Sequence, residues 1–115
     1  MPDPRATAEH YVEIATADGK EALALLFARD AVFHAPDGAV YRGRDQIAAF
    51  YRRHLANVVP AFHVHRAVVD GDDCWIELAD GPVDAPNLLA GNHFSVGHDG
   101  LITRLAVYLR PRPAG

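Results

Sequence analysis

The apolar residues in the first half of the chain recur with the three-to-four-residue period of an α-helix. This period predicts a first helix over residues 4–17, with Pro4 at its first position. A second helix is predicted to begin at Asp18, because Glu21 follows it at the spacing of a capping box. The residues expected to face the core from these helices are Ala8, Tyr11, Val12 and Ala15, then Ala22, Leu23, Leu26 and Phe27.

A third helix is predicted over residues 44–58, after Gly43. The segments DAVFHA and AVYR precede it and are predicted to be short strands, separated by the turn Pro36-Asp37-Gly38. We expect His54 on the buried face of the third helix, because it belongs to the apolar stripe of that helix. The stripe consists of Ile47, Phe50, Tyr51, His54, Leu55 and Val58.

After Pro60 the apolar period changes to two residues, which predicts β-strands. The four predicted strands have the sequences AFHVHRAVVD, CWIELAD, LLAGNHFSVG and LITRLAVYLR. The last two are joined at Asp99-Gly100, a strong hairpin signal. Three helices followed by an antiparallel meander predict an α+β fold, in which the helices cover one face of a curved sheet.

Composition and charge narrow the class of protein further. The chain has 115 residues, a length that favours a single domain over residues 1–115. Its formal net charge of −4 provides no basic surface for binding nucleic acid. No apolar run approaches the roughly 20 residues that cross a membrane. The N-terminal segment lacks the pattern of a secretion signal, and Cys74 has no second cysteine to pair with, which together favour the cytoplasm. Alternating prolines predict a frayed tail over residues 111–115.

Two segments carry a resemblance to a known family. The segment LFARDAVFHAPDG…YRGRDQIAAFY and the later NHFSV…DGLITRLAVY resemble the nuclear transport factor 2-like superfamily. Within it, the chain most resembles SnoaL-like polyketide cyclases and relatives of ketosteroid isomerase, over about residues 6 to 110. The resemblance implies a cone in which the helices and a strongly curved sheet enclose a deep apolar pocket, and it implies a dimer.

The resemblance also assigns roles to three positions. The oxyanion tyrosine of the isomerases corresponds to Tyr11, and their protonated carboxylic acid corresponds to Asn92, whose amide still donates a hydrogen bond. Their general-base aspartate corresponds to Ala35, which cannot accept a proton. Isomerisation by the same route is therefore not expected.

A replacement base would be a group with a pKa near the working pH, inside the pocket. His54 is the main candidate, because an unperturbed histidine has a pKa of about 6.5. The alternative is a core histidine that hydrogen-bonds a backbone carbonyl or a tyrosine. Asp37 is a second candidate base at the mouth of the pocket, and its alternative role is to stabilise its own turn.

The remaining pocket residues follow from strand faces and from the resemblance. Asn92 shares a buried strand face with Phe94, so its amide either holds a ligand oxygen beside Tyr11 or ties strands together. The residues expected to contact a ligand are Phe33, Ala35, Asp37, Phe50, Tyr51, Phe94, Arg104 and Tyr108.

The last strand gives conflicting predictions about Arg104. Periodicity assigns to the core the alternate, mostly apolar residues from Leu101 to Leu109, whereas the resemblance turns Arg104, Ala106 and Tyr108 toward the pocket. Both hold if a second subunit covers one face of the sheet, which favours a homodimer. The apolar set consists of Leu101, Thr103, Leu105, Val107 and Leu109.

The outer face of the sheet carries several histidines. His63 and His65 lie two residues apart, and His93 points away from Asn92. If they meet, they could bind zinc with Glu77 as a fourth ligand. The favoured interpretation is a polar, partly aromatic face, including Trp75, that forms dimer contacts.

The function predicted from these features is cofactor-free acid–base chemistry on an apolar carbonyl compound, of isomerase, cyclase or dehydratase type. Tyr11 and Asn92 would hold the carbonyl oxygen, with His54 as the base. No cofactor is implied, because the chain has no glycine-rich phosphate loop and proton transfer needs none. The alternatives are a non-catalytic ligand-binding module with the same pocket and an interaction subunit that works through the outer face.

Overall fold

Two α-helices, one 3₁₀ helix and six strands make up the computed structural model, which describes residues 3–17, 20–55 and 61–111. In chain order the elements are α1 (Pro4–Ala15), the 3₁₀ helix (Lys20–Leu26), β1 (Phe27–His34), β2 (Val40–Arg42), α2 (Arg44–Leu55), β3 (His63–Asp70), β4 (Asp73–Asp80), β5 (Asn87–Val96) and β6 (Ile102–Leu109).

All six strands form one sheet in the order β2-β1-β6-β5-β4-β3. Neighbouring strands are antiparallel except β1 and β6, which are parallel. Register shifts interrupt every pairing except that of β1 with β2, and such bulges bend and twist a strand. The prediction of an α+β fold with a curved, mainly antiparallel sheet is confirmed.

The first helix begins at a capped N-terminus. The Asp3 carboxylate accepts a hydrogen bond from the backbone N–H of Arg5 at 3.0 Å, and Pro4 occupies the first turn, where no N–H is needed. The helix ends at Ala15, two residues before the predicted end. All of the residues predicted to face inward from this helix are buried: Ala8, Tyr11, Val12 and Ala15.

The predicted second α-helix is wrong, because the chain forms a 3₁₀ helix over Lys20–Leu26 instead. Phe27 already belongs to β1, so only a short segment remains between the strand and the preceding turn. The guanidinium of Arg44 donates two hydrogen bonds to the Phe27 carbonyl, at 3.0 and 2.8 Å, and this carbonyl is therefore unavailable to extend a helix. Short connectors of this kind commonly adopt the tighter 3₁₀ winding. The proposed cap at Asp18 lies outside the described residues.

Gly43 makes the turn from β2 into α2. Its φ of +88° lies in the left-handed region, its N–H donates to the Ala31 carbonyl at 2.8 Å, and its carbonyl accepts from Ile47. The helix then runs over Arg44–Leu55, and the predicted continuation to residue 58 falls outside the described part of the chain. The helix packs against the 3₁₀ helix, β1 and β2.

The core lies between the helices and the inner face of the sheet. Its fully buried large side chains include Leu23, Phe27, Phe33, Ile47, Ile76, Phe94, Ile102 and Leu105. Within the described ranges, no helix has the length and apolar character needed to cross a membrane. The predicted fraying concerns residues 111–115, of which the structure describes only Pro111.

Candidate functional site

A cavity of about 300 Å³ lies between the helices and the inner face of the sheet. Its volume is at the lower end of the range of small-molecule pockets, which is roughly 300–1,000 Å³. Every strand except β2 and β3 contributes to it, together with both α-helices. The lining residues are Tyr11, Ala15, Phe33, Pro36, Phe50, Tyr51, Phe62, Leu78, Leu89, Ala90, Asn92, Val107 and Leu109.

Two buried tyrosines form the first polar feature of this cavity. The hydroxyls of Tyr11 on α1 and Tyr51 on α2 lie 2.7 Å apart and share a hydrogen bond. Burial raises the pKa of Tyr11 to about 12 and holds the pKa of Tyr51 well above its usual 10.0. Both phenols are therefore protonated at neutral pH, and since one donates to the other, the accepting hydroxyl keeps its own proton free to donate.

Asn92 is the second polar feature. Its side chain lines the cavity and the residue is only 3% exposed, but Oδ1 has no hydrogen-bond partner among the residues that the structure describes. The register places Asn92 between Ile76 of β4 and Val107 of β6, so its neighbours on the sheet are apolar. A buried amide oxygen without a partner is costly, by about 1–3 kcal/mol.

Aromatic rings form one side of the cavity. Phe33 packs edge-on against Phe50 with ring centroids 4.9 Å apart, and stacks on Tyr51 at 5.8 Å. Phe94 lies beneath Tyr11 at 5.2 Å and supports that ring without lining the cavity. Of the predicted site residues, the structure therefore brings together at one cavity Tyr11, Phe33, Phe50, Tyr51 and Asn92.

The expected position of His54 is wrong. Its side chain is exposed and is not part of the cavity lining. Its ring packs on Phe50, with ring centroids 4.5 Å apart. The stripe that predicted its burial holds for Ile47 and Tyr51, which are buried.

The directions predicted for Arg104 and Tyr108 are also wrong. Arg104 pairs with Ser95 across β6 and β5, and its guanidinium lies 3.2 Å from His93 Nδ1 on the outer face. Tyr108 is 54% exposed and stacks on Trp75, which is on the same face. From Leu105 onward, periodicity therefore predicted the orientation of β6 correctly where the resemblance did not, whereas at the start of the strand a register shift buries Ile102 and leaves Thr103 exposed.

Two further predicted ligand contacts lie outside the cavity lining. Ala35 is buried in the core beside the turn. Asp37 is exposed, and its carboxylate accepts a hydrogen bond from the Ala39 N–H at 2.9 Å. This is the turn-stabilising role that the sequence offered as the alternative for this aspartate.

The outer-face histidines do not meet. His93 stacks on Trp75 with centroids 4.3 Å apart, and its Nε2 lies 3.4 Å from the Asp73 carboxylate. His63 instead pairs with Ala79 near the other end of β4, and His65 lies at a bulge and is exposed. Over the described ranges, no group of three ligating side chains is placed to hold a metal ion.

Sequence reasoning missed the aliphatic part of the cavity wall. Leu78 and Val107 face the cavity because β4 and β6 flank β5, and their register brings them to the face of Asn92. Leu109 is largely exposed and lies at the opening. The two-residue period of β6 already grouped Val107 with Leu109. Phe62 and Leu89 had no comparable local signal.

Solved structures with the same fold include proteins of several kinds. One is a hypothetical protein with a ketosteroid isomerase-like fold from Catenulispora acidiphila in complex with trimethylamine, 23% identical over 94% of this chain and 85% of that chain, with a TM-score of 0.69. Another is the epoxide hydrolase/cyclase-like enzyme SalBIII of salinomycin formation, 14% identical over 93% and 90%, with a TM-score of 0.75. A third is a computationally designed 17-OHP binder, 20% identical over 96% and 93%, with a TM-score of 0.74. At these identities the likeness shows the fold alone.

Family membership rests on the sequence itself. No curated protein matches the chain significantly. The model of the SnoaL-like domain, however, matches residues 8–105, which is most of the chain and includes Tyr11 and Asn92. The protein therefore belongs to the SnoaL-like domain family of the NTF2-like superfamily.

Proposed function

We propose that the protein binds a neutral, largely apolar small molecule in the cavity and does not transform it. The observation that carries this proposal is Oδ1 of Asn92, a buried acceptor in the lining of an apolar cavity that has no hydrogen-bond partner in the described part of the chain. Leaving it unsatisfied destabilises the empty protein, and a ligand that hydrogen-bonds to it recovers that loss. Neutrality is favoured because the described lining contains no charged side chain, and an unpaired charge is costly to bury.

Binding is favoured over acid–base chemistry because the described lining residues include no suitable base. A general base needs a pKa near the working pH and must lie within hydrogen-bond reach of the substrate. The ionisable groups among the described lining residues are Tyr11 and Tyr51, and burial raises the pKa of both. His54 lies outside the lining, and the family resemblance puts Ala35, which cannot accept a proton, where the isomerases have their general base.

Acid–base catalysis on an apolar carbonyl compound is the second candidate. It is supported by the tyrosine pair, whose free phenolic proton, together with the Asn92 amide, could stabilise an enolate. Solved relatives illustrate both possibilities, since one is a cyclase-like enzyme and another is a designed binder.

Isothermal titration calorimetry with neutral bicyclic aromatic compounds tests the binding proposal. Ala90→Leu narrows the cavity and is expected to weaken binding at least tenfold. Val68→Leu is the matched control, because Val68 is 57% exposed, on a strand that does not line the cavity. Equal affinities for Ala90→Leu and the wild type would place binding elsewhere and contradict the proposal.

Replacing His54 on α2 distinguishes binding from catalysis. We expect His54→Ala to bind ligand with unchanged affinity, as does His10→Ala, which removes an exposed histidine from α1. The wild type and both variants are expected to leave cyclic ketones unchanged when deuterium exchange next to the carbonyl is followed by NMR. Exchange that the wild type catalyses and His54→Ala alone loses would establish the acid–base candidate instead.

A further inference from the structure

We propose that the ligand is amphiphilic: its apolar body fills the cavity, and a neutral head group that both donates and accepts hydrogen bonds lies in a second, polar cavity at the opening. This inference rests on the proposed function and specifies the ligand class. It follows from the position of the second cavity beside the first, and from polar groups there that the proposed function does not use.

The second cavity adjoins the apolar cavity at its opening. It measures about 530 Å³, and two of its lining residues, Leu89 and Leu109, also line the apolar cavity. Leu109 is largely exposed, so it separates the two spaces without closing either of them to solvent. A molecule longer than the apolar cavity, whose volume is about 300 Å³, would therefore extend past these leucines into the second cavity.

The polar lining of the second cavity comes from the ends of β4, β5 and β6. Alternation along β4 places Asp80 on the same face as Leu78, so the inner face of this strand ends in a carboxylate. Asn87 pairs with Asp80 across the strands, and its Nδ2 donates a hydrogen bond to Asp80 Oδ1 at 3.0 Å. Arg110 follows β6, and its backbone N–H donates to the Leu89 carbonyl at 2.9 Å. The inner face of the sheet therefore changes from apolar to polar at the opening.

Asp80 and Arg110 both keep hydrogen-bonding capacity for a ligand. The carboxylate only accepts, and it has a second oxygen besides the one that is bonded to Asn87. The Arg110 guanidinium only donates, and within the described ranges neither Arg110 nor Asp80 has an ion-pair partner. A head group that serves both side chains must donate to one and accept from the other, as a carboxamide or a hydroxyl does.

The opposite charges of Asp80 and Arg110 disfavour a charged head group. A carboxylate would be attracted by Arg110 and repelled by Asp80, and an ammonium group would meet the reverse. A neutral head group avoids both repulsions, and its hydrogen bonds to charged side chains are stronger than those between neutral groups. A carboxamide, whose donor and acceptor are separate atoms, is suited to bridging two different side chains.

Calorimetric titration of the wild type with four compounds that share one apolar body tests this inference: 4-phenylbutanamide, 4-phenylbutanoate, 4-phenylbutylamine and butylbenzene. We expect the amide to bind about fivefold more tightly than butylbenzene, which is the effect of one net hydrogen bond. We also expect it to bind more tightly than the carboxylate or the amine. The titrations are made at low ionic strength, because salt screens charges near the surface. This ranking requires no variant to fold.

Removing one charge at a time then locates the head group. In Asp80→Asn we expect the carboxylate compound to gain about threefold in affinity and the amine to lose as much, and Arg110→Gln is expected to have the reverse effect. The matched controls Asp70→Asn and Arg66→Gln remove the same charges from exposed positions of β3, a strand that contributes to neither cavity. Both controls are expected to keep the wild-type ranking.

The two proposals fail in different ways. If butylbenzene binds as tightly as the amide, or if Asp80→Asn and Arg110→Gln change the ranking no more than their controls do, the head group does not lie in the second cavity. The inference is then wrong and the binding function stands. If none of the four compounds binds the wild type, the binding proposal itself is overturned together with the inference.

Discussion

Tyr11 and Tyr51 show how two residues far apart in sequence become one polar unit. Each hydroxyl is buried, and the two share one hydrogen bond at 2.7 Å. Removing one partner leaves a buried hydroxyl unpaired, whereas removing both leaves two phenylalanine rings of nearly the same shape. Their contribution to stability is therefore not additive.

A double-mutant cycle tests this coupling. We expect Tyr11→Phe and Tyr51→Phe each to lower the free energy of unfolding by about 1–3 kcal/mol. The double variant is expected to lose less than the sum of the two single losses, because no hydroxyl is left without a partner. Urea unfolding of the four proteins measures the coupling, and strictly additive losses would contradict it.

The same pair predicts a dependence of stability on alkaline pH. The folded protein holds the Tyr11 proton up to a pKa of about 12, whereas an unfolded tyrosine loses it near 10.0. Above pH 10.0 the unfolded state therefore binds fewer protons than the folded state, and the free energy of unfolding falls as the pH rises toward 12. Below pH 10.0 this contribution is constant.

Denaturant unfolding between pH 10.0 and about 12 checks the effect. The variant that carries both Tyr11→Phe and Tyr51→Phe is expected to lose stability more gradually with rising pH than the wild type. Identical slopes would mean that the two phenols do not titrate differently in the folded and unfolded states.

At the scale of elements, the turn into α2 depends on one backbone conformation. Gly43 has a φ of +88°, which residues with a Cβ rarely adopt, and both its N–H and its carbonyl are hydrogen-bonded. If the turn changed its backbone conformation, it would lose the hydrogen bonds to Ala31 and Ile47. Because Ile47 is buried in the core, the packing of α2 on the core would change as well. The position of Phe50 and Tyr51 at the cavity depends on that packing.

Gly43→Ala is expected to lower the free energy of unfolding by about 1–2 kcal/mol, because alanine is strained in the left-handed region. Gly91→Ala is the control: a Cβ there would lie 3.9 Å from the Ile76 carbonyl, an ordinary contact, and we expect a change within about 0.5 kcal/mol. Thermal unfolding followed by circular dichroism compares the two. An equal loss of stability in both variants would show that the positive φ angle of Gly43 is not the cause of the destabilisation.

At the scale of the whole molecule, the outer face of the sheet carries apolar surface next to charges of both signs. Val68, Trp75 and Tyr108 are each between 45% and 57% exposed, and Arg104 and Asp73 lie on the same face. A two-fold interface must be self-complementary, and a face with both charges around an aromatic centre meets that condition. We propose that two copies of the chain pair through this face.

Light scattering after size-exclusion chromatography tests the dimer. We expect the wild type to have twice the mass of the chain and Trp75→Ser to shift toward the monomer. Val83→Ser removes an apolar side chain that is 84% exposed in the loop before β5, and it is expected to remain dimeric. A wild type that is monomeric at every concentration measured would overturn the proposal.

The local pattern of apolar residues determined the α+β class of the fold, the inward positions of α1 and most of the strand faces. These features follow from the 3.6-residue period of a helix and the two-residue period of a strand, each of which depends only on the residues of one element. In β6 the period alone placed Leu105, Val107 and Leu109 on the inner face correctly. Tyr11 and Asn92 were identified as pocket residues by family resemblance, and they do line the cavity.

The tertiary structure decided what lies beside each residue, because that depends on packing between distant segments. It placed the His54 side chain outside the cavity lining, and it replaced the predicted second α-helix by a 3₁₀ segment ahead of β1. It also joined Tyr11 to Tyr51 and left Oδ1 of Asn92 without a hydrogen-bond partner among the described residues. The periodicity of one segment carries no information about whether a buried polar group finds its partner on another.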